Sequence, residues 1–286
     1  MDRVLSRLRE LFLRTHGFDL SEYDDAFVRD TLARRLAELG LPEADAYGSF
    51  LAGSDIEAAA FVDALRISYT RFFRDPLAFA LLESRILPAL LAQKAEGSEI
   101  RIWSAGCASG QEAYSIAMTI EDVLANCGRS LNYRIFATDA RPGGIEAAKT
   151  GLYSPDDVKE LKLRHLEKHF RKVPGGYQVV PGLKSHIEFS VHDFLDPEMP
   201  NPPGSIFGDF DIVFCSNILY YYQERIRVHL LAGLSRSLAA SGVLVTDDAS
   251  QSILDKRSEF QPFESSIAVF RKRALASSIQ REGRYG

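Results

Sequence analysis

Apolar positions in the first quarter of the chain recur at the three- and four-residue spacing of amphipathic helices. One such stripe consists of Leu5, Leu8, Leu11 and Phe12. Ser21, with Asp24 three residues later, predicts the start of a second helix. That helix runs from about Glu22 to Leu39, and Gly40 ends it. Strand patterns are absent from this part of the sequence, so we expect residues 1–74 to form an all-α N-terminal domain.

The pattern then changes, because short apolar runs typical of strands alternate with helical periodicity. Asp75 and Pro76 predict the cap and first turn of a helix. Its predicted apolar face carries Leu77, Leu81, Leu82 and Ile86. The strand-like runs lie at residues 100–103, 133–139, 189–193, 210–217, 242–246, 260–263 and 267–272. This alternation predicts an α/β domain over residues 75–286, with the last two runs as an antiparallel pair.

The chain between the helix after Asp139 and the next sheet strand is longer than one crossover needs. Residues 174–176, Pro-Gly-Gly, predict a turn, and short strands are predicted at Tyr177 to Val180 and His186 to Val191. A small antiparallel β insert near residues 165–185 is the simplest explanation.

A glycine turn follows the first strand of the α/β region. Gly106 and Gly110 enclose the sequence Cys-Ala-Ser, and helical spacing resumes directly after them. Glycines allow backbone to approach a ligand closely, and the N-terminus of the next helix offers free N–H groups. This arrangement suits a nucleoside cofactor. The G-x-x-x-G spacing differs from the dinucleotide pattern, however, and a tight strand-to-helix connection without a ligand is the alternative reading.

Two further strand ends support a binding site at this edge. Asp139 ends the second strand, where an acidic residue commonly accepts ribose hydroxyls, and Asn217 ends the run that begins at Phe210. The segment 68–76, SYTRFFRDP, places two phenylalanines between Arg71 and Arg74. Either an arginine snorkels past its aromatic neighbours, or it is drawn to a charged ligand.

Composition limits the possible functions. The chain has 286 residues, 46% of them hydrophobic, with a formal net charge of −5. A negative total argues against a dedicated nucleic-acid binder. Three scattered cysteines without a C-x-x-C pattern indicate neither a zinc site nor a disulfide framework, so no metal is expected. No stretch approaches the roughly 20 apolar residues of a membrane span, and a cytoplasmic, non-inserted monomer is the expectation.

Five segments, taken together, resemble the signature segments of a known family. They read, in order, ISYTRFFRDPLAF, IWSAGCASGQEAYSIA, IFATD, IEFSVHDF and FDIVFCSNILYYY. They are similar to those of the chemotaxis receptor methyltransferases of the CheR type, which use S-adenosylmethionine. The resemblance implies an all-α N-terminal domain, a Rossmann-like class I methyltransferase sheet of seven strands, and a small β insert.

The resemblance also implies the site residues. Cofactor contacts are expected at Ser68, Thr70, Arg74, Ala105, Gly106, Glu112, Asp139, Asp193, Phe194, Ser216 and Asn217. Arg74 and Tyr221 are the expected catalytic residues, because Arg74 can pair a carboxylate and Tyr221 would lie near the methyl group. A substrate glutamate is already ionised near pH 7, so no general base is required. His192 is accordingly expected to be a packing residue.

The implied reaction is methyl ester formation on glutamates of a chemoreceptor's cytoplasmic helical bundle, with S-adenosylhomocysteine as the product. Departures from the family pattern at Ser68, Ser216 and residues 247–250 leave two alternatives open. These are an O-methyltransferase acting on a small molecule or a non-receptor protein, and a module that senses the cofactor without turnover. Arg29, Arg34 and Arg35 form either a solvated helix face or a surface for the acidic substrate.

Overall fold

The structure is a computed structural model that describes residues 3–65, 70–95, 97–129, 131–193, 195–196, 198–205 and 207–273. Two predicted cofactor contacts, Ser68 and Phe194, lie outside these residues.

Four helices form the N-terminal domain: α1 (Arg3–His16), α2 (Asp25–Leu39), α3 (Ala44–Leu51) and α4 (Asp55–Leu65). Their shared core includes Leu5, Phe12, Leu20, Tyr47 and Phe61, all fully buried. The start of α2 differs from the prediction, because a 3-10 turn at Leu20–Glu22 precedes it. Asp24 caps α2 by accepting from the backbone N–H groups of Ala26 and Phe27, so Ser21 is not the cap.

The second domain begins with a helix that contains a π-helical turn: α5 (Pro76–Leu81), the π turn (Leu82–Ile86) and α6 (Leu87–Gln93). Asp75 caps it as predicted, since its carboxylate accepts from the Ala78 N–H. Leu77 was wrongly placed on the buried face and is 61% exposed. By length and composition this helix could cross a membrane, which the sequence reading overlooked, but Leu82 and Leu87 are fully buried in the core.

The remaining elements alternate as the apolar pattern predicts. The helices are α7 (Gln111–Cys127), α8 (Pro142–Thr150), α9 (Pro155–Val158), α10 (Leu163–His169), α11 (Pro181–Lys184), α12 (Glu224–Ser237) and α13 (Asp248–Leu254). The strands are β1 (Glu99–Ala105), β2 (Asn132–Asp139), β3 (Leu152–Tyr153), β4 (Phe170–Val173), β5 (Gly176–Val179), β6 (Ile187–Val191), β7 (Phe210–Phe214), β8 (Leu238–Val245), β9 (Phe260–Glu264) and β10 (Ile267–Lys272).

Seven strands form one sheet in the order β6-β2-β1-β7-β8-β10-β9. The first five run parallel, and β10 pairs antiparallel with both β8 and β9. The chain order reverses at β1, where β2 lies on one side and β7 on the other. In open sheets a ligand crevice forms at such a switch point, beyond the carboxyl ends of the strands. The topology therefore places the glycine turn after β1 at the expected crevice.

A separate sheet of three antiparallel strands, in the order β3-β5-β4, confirms the predicted insert. Its strands span residues 152–179, whereas the prediction gave about 165–185. The strand predicted at residues 186–191 corresponds to β6 and belongs to the main sheet, paired with β2.

Candidate active site

The glycine turn after β1 is built by backbone hydrogen bonds to β2. The N–H groups of Gly106 and Cys107 both donate to the Thr138 carbonyl, at 2.7 and 2.8 Å. Gly106 and Gly110 have φ values of +81° and +94°, which side chains other than glycine rarely adopt. These bonds tie the turn to the neighbouring strand end and point α7 at the crevice.

Protein neighbours, and not only a ligand, require these glycines. A Cβ on Gly106 would lie 1.8 Å from Ile218 Cδ1, and one on Gly110 would lie 2.9 Å from Ala148 Cβ. The sequence left two readings of this turn open, close approach of a ligand and a tight strand-to-helix connection, and these contacts show that the turn is tightly packed within the protein. In the structure, Ile218 packs over the turn, and α8 packs against its far end.

Asp139 lies where the strand pattern predicts, at the carboxyl end of β2. Its carboxylate accepts from the Ala108 N–H and from the Arg141 N–H, both at 2.9 Å. It therefore holds the glycine turn in addition to any ligand. A carboxylate oxygen has two lone pairs and can accept more than one hydrogen bond.

A cavity at the crevice brings together six of the predicted cofactor contacts: Thr70, Arg74, Gly106, Glu112, Ser216 and Asn217. Its apolar walls include Phe79, Phe214 and Val245. S-adenosylmethionine needs hydrogen-bond acceptors for its ribose hydroxyls and amino group, a cation for its carboxylate, and an apolar slot for its adenine. The residues present thus fit this cofactor.

The ionisable groups of the cavity influence one another. Burial raises the pKa of Glu112 to about 7, while a hydrogen bond from Ser104 and the charge of Arg74 act to lower it. Ser104 Oγ donates to Glu112 Oε1 at 2.6 Å. Arg74 also acts on Tyr221, whose pKa burial raises well above its usual value, so this phenol stays neutral. Arg74 therefore lies within electrostatic range of both side chains.

Four other predicted site residues, Ala105, Asp139, Asp193 and Tyr221, are not among the residues that line this cavity. Ala105 is buried at the end of β1, directly before Gly106. Asp193 follows β6, and its carboxylate accepts from the Leu195 N–H at 3.0 Å. Tyr221 belongs to a 3-10 turn, Leu219–Tyr221, and its hydroxyl bonds to that of Tyr220. His192 is buried, and its Nε2 bonds to the Met199 carbonyl, which confirms its packing role.

The two arginines of the RFFR segment have different environments. Both arginines line the cofactor cavity, and Arg71 in addition pairs with Glu160 at 3.2 Å. Phe72 is buried, and the Phe73 ring stacks on His165 with centroids 5.1 Å apart. The pairing of Arg71 with Glu160 gives that arginine an acidic partner within the protein, and an interaction of Arg74 with a charged ligand stays a prediction.

Two residues have contacts at the site that the sequence did not predict. Ile218 lines the cavity, and Asn217 before it has a φ of +62°, which turns the chain over Gly106. Asp247 is 8% exposed and accepts from the Leu219 N–H at 3.2 Å. The sequence marked Asp247 as a departure from the family pattern but not this contact, and nothing in the spacing marked Ile218.

A second cavity, of about 280 Å³, shares Arg71 and Phe79 with the first. Phe73, Phe79, Asp122 and His165 line it, and it contains none of the predicted site residues. We therefore assign the crevice beside the glycine turn, and not this cavity, as the candidate active site.

Both domains match known families. Residues 68–269 match the SAM binding domain of the CheR methyltransferases, and residues 3–65 match the all-alpha domain of the same family. The chain belongs to the CheR methyltransferase family. It is therefore a methyltransferase with an S-adenosylmethionine-binding domain, as the five sequence segments predict.

Curated relatives agree with this assignment. A chemotaxis protein methyltransferase from Borreliella burgdorferi is 31% identical over 79% of this chain and 80% of its own length. The enzyme of the same name from Salmonella typhimurium is 30% identical over 85% and 82%. An uncharacterized 104.1 kDa protein from Rhodobacter capsulatus is 32% identical over 84% of this chain, which spans only 25% of that protein.

Proposed function

We propose that this CheR family member transfers a methyl group from S-adenosylmethionine to glutamate side chains in the cytoplasmic helical bundle of a chemoreceptor. The observation that carries the proposal is the cavity that joins Glu112, Arg74 and Asn217 at the switch point of the sheet. The names of the relatives from Borreliella and Salmonella support a protein of a chemotaxis system as the substrate.

The residues of the site divide into those that bind the cofactor and those that face the acceptor glutamate. Asp139 accepts from the ribose hydroxyls, Glu112 accepts from the amino group of the cofactor, and Asp193 and Asn217 complete the polar contacts. Arg74 pairs the incoming glutamate carboxylate, because a guanidinium presents two parallel donors to it. Tyr221 stays a neutral phenol and borders the reacting groups.

The chemistry requires alignment and exclusion of water. The bound cofactor supplies an electrophilic methyl group on a sulfonium. The acceptor glutamate is ionised at neutral pH, so the protein has no proton to remove before attack. What the chain contributes is orientation of the carboxylate by Arg74 and an enclosed, apolar wall from Phe79 and Phe214, which can supply several kcal/mol of barrier reduction.

Radiolabelled methyl transfer to receptor-containing membranes tests the proposal. We expect label that mild base releases as methanol, because a glutamate methyl ester is base-labile. Base-stable label would instead indicate an acceptor of another chemistry. Absence of label despite calorimetric binding of S-adenosylmethionine would contradict the proposal and favour a sensing module.

A further inference from the structure

The segment that carries Tyr221 connects the cofactor cavity to the helical domain. We call residues 216–223 the tyrosine loop. Ser216, Asn217 and Ile218 line the cavity at one end of this loop, and the 3-10 turn Leu219–Tyr221 follows them. The position of Tyr221 relative to the cavity therefore depends on what holds the loop.

The methyltransferase domain holds the first half of the tyrosine loop. Asp247, two residues after the end of β8, accepts from the Leu219 N–H at 3.2 Å, and Ser250 Oγ donates to the same carboxylate at 3.0 Å. This anchor acts at Leu219, two residues before Tyr221.

The helical domain holds the second half through its backbone. The Asp24 N–H donates to the Tyr221 carbonyl at 2.8 Å, and the Gln223 N–H donates to the Glu22 carbonyl at 2.8 Å. Tyr23 and Tyr222 form an antiparallel β-bridge between these two bonds. The loop thus pairs with the segment that leads into α2.

Two side chains extend this pairing. Gln223 Nε2 donates to the Tyr23 carbonyl and to Asp25 Oδ1, both at 3.0 Å, so both of its N–H groups bond to the helical domain. The Phe27 ring packs on the Tyr221 ring with centroids 4.5 Å apart. Gln223 fixes the end of the loop, and Phe27 supports the aromatic ring itself.

We propose that Gln223 and Phe27 are positioning residues for methyl transfer, which makes the helical domain a part of the catalytic centre. This inference rests on the proposed function, since it assigns Tyr221 a place beside the reacting groups. Neither residue lines the cofactor cavity. Their loss should therefore change the rate of transfer and leave cofactor binding intact.

The junction also provides a matched control. Arg225 donates to the Ser21 carbonyl at 3.0 Å and to Ser21 Oγ at 3.1 Å, so it joins the same two domains. It belongs to α12 and not to the tyrosine loop. If the contacts merely hold the domains together, Arg225→Ala should lower kcat as much as Gln223→Ala does.

The experiment uses the full chain with Gln223→Ala, Phe27→Ala, Phe27→Tyr and Arg225→Ala. We expect Gln223→Ala and Phe27→Ala to lower kcat on a receptor fragment by about tenfold, with the Kd for S-adenosylmethionine within about twofold of the parent value. Phe27→Tyr, which keeps the ring, should restore kcat. Arg225→Ala should retain the parent kcat. Hydrogen exchange in residues 218–223 should become faster in Gln223→Ala alone among the junction variants.

Two results would overturn the inference: a parent-like kcat in Gln223→Ala, or an equal loss in Arg225→Ala. Should Gln223→Ala fail to fold, Gln223→Met keeps the stem without the donors and is expected to behave as a slow, folded enzyme. If the parent chain itself transfers no methyl group, the proposed function fails. In that case hydrogen exchange tests whether Gln223 holds the tyrosine loop in place. Unchanged protection of residues 218–223 in Gln223→Ala or Gln223→Met would refute that role of Gln223.

Discussion

At the scale of single residues, Glu112 has the ionisation most sensitive to conditions in the cavity. With a pKa of about 7, its carboxyl group is roughly half protonated at neutral pH in the free protein. A bound cationic amino group would favour the ionised form, since an opposite charge nearby lowers the pKa of a carboxyl.

The affinity for S-adenosylmethionine should therefore rise by up to about tenfold between pH 6 and pH 8. Calorimetric titration across this range measures it, and Glu112→Gln should remove the dependence. A parent protein whose affinity is the same at both pH values would contradict the role of Glu112. The stability of the folded protein depends on pH in the opposite direction from the affinity. Because the pKa is raised from 4.5 to about 7 in the native state, the stability contributed by this protonated group is lost as the pH rises through about 7.

Asp139 holds the glycine turn and, in the proposed function, also accepts from the ribose, and a pair of substitutions tests this second role. Asp139→Ala removes the acceptors for the Ala108 and Arg141 N–H groups as well as for a ribose, and should weaken cofactor binding by about 1–3 kcal/mol. Asp139→Asn keeps one acceptor oxygen and should cost less. Calorimetry measures the affinity, and thermal unfolding reports the state of the turn. Full affinity in a folded Asp139→Ala would exclude the ribose contact.

At the scale of elements, the sequence predicted whether a segment is a helix or a strand better than it predicted where that element begins and ends. Periodicity located α1 and β2, because burial imposes a regular spacing on both. It misplaced the start of α2, since Asp24 and Ser21 are both capping residues and only the 3-10 turn before α2 decides between them. The helical spacing also placed Arg35 on the solvent-exposed face of α2. The pattern of one helix cannot show that Glu57 of α4 bonds to Arg35.

Arg35 is in fact part of a buried network. Its guanidinium bonds to both oxygens of Glu57, at 2.8 and 2.6 Å, and the Tyr47 hydroxyl donates to Glu57 at 2.7 Å. The Glu57 side chain is 5% exposed. Arg35 is therefore a structural residue of the helical domain and not a surface for the substrate.

Removing one partner of this pair should destabilise the domain. Glu57→Gln is expected to lower the free energy of unfolding by about 3 kcal/mol, because it removes the buried carboxylate and leaves Arg35 with the 61%-exposed Glu38 as its acidic partner. The hydrogen bonds to Arg35 and Tyr47 and the charge of Arg35 hold the pKa of Glu57 below 4.5 against desolvation. The stabilisation is thus present above about pH 4.5 and is lost as the pH falls through the native pKa. Denaturant unfolding at several pH values measures both effects.

The exposed pair Arg7 and Asp45, with side chains 73% and 76% accessible, provides the comparison. Arg7→Ala should cost at most about 1 kcal/mol. Equal losses for Arg7→Ala and Glu57→Gln would show that burial of the network contributes nothing.

At the scale of the whole molecule, substrate binding should involve the side of the helical domain that faces Tyr221. Arg34 is exposed, bonds to Thr31 and to the Ala64 carbonyl, and its charge acts on Tyr221. This combination places a positive charge beside the position proposed for an acidic substrate helix.

Arg34→Glu should lower receptor methylation at low salt and leave cofactor affinity unchanged, with the difference diminishing as salt screens the charge. Methylation rates at several salt concentrations measure this. Arg14→Glu, a charge reversal at an exposed position in the last turn of α1, is the control and should retain activity. Loss of the same size in Arg14→Glu would assign the effect to the net charge of the domain.

The sequence predicted the strands along the chain and the polar residues that end them at one edge of the sheet, because an apolar run and the residue that ends it are local patterns. It did not predict the contact between the domains. Tyr23 and Tyr222 look like ordinary aromatic residues of separate helical regions, and no local pattern relates positions so far apart. Only the folded arrangement shows that Gln223 bonds to Tyr23 and Asp25.

The bond between Gln223 and Asp25 joins positions 198 residues apart, which has a consequence for how the protein folds. Contacts of such long sequence separation form late, because closing a long loop costs entropy before the contact rewards it. During synthesis the helical domain emerges first, and its surface around Tyr23 and Phe27 has no partner until residue 223 has left the ribosome. In a refolding experiment, helical signal should accordingly return before catalytic competence does.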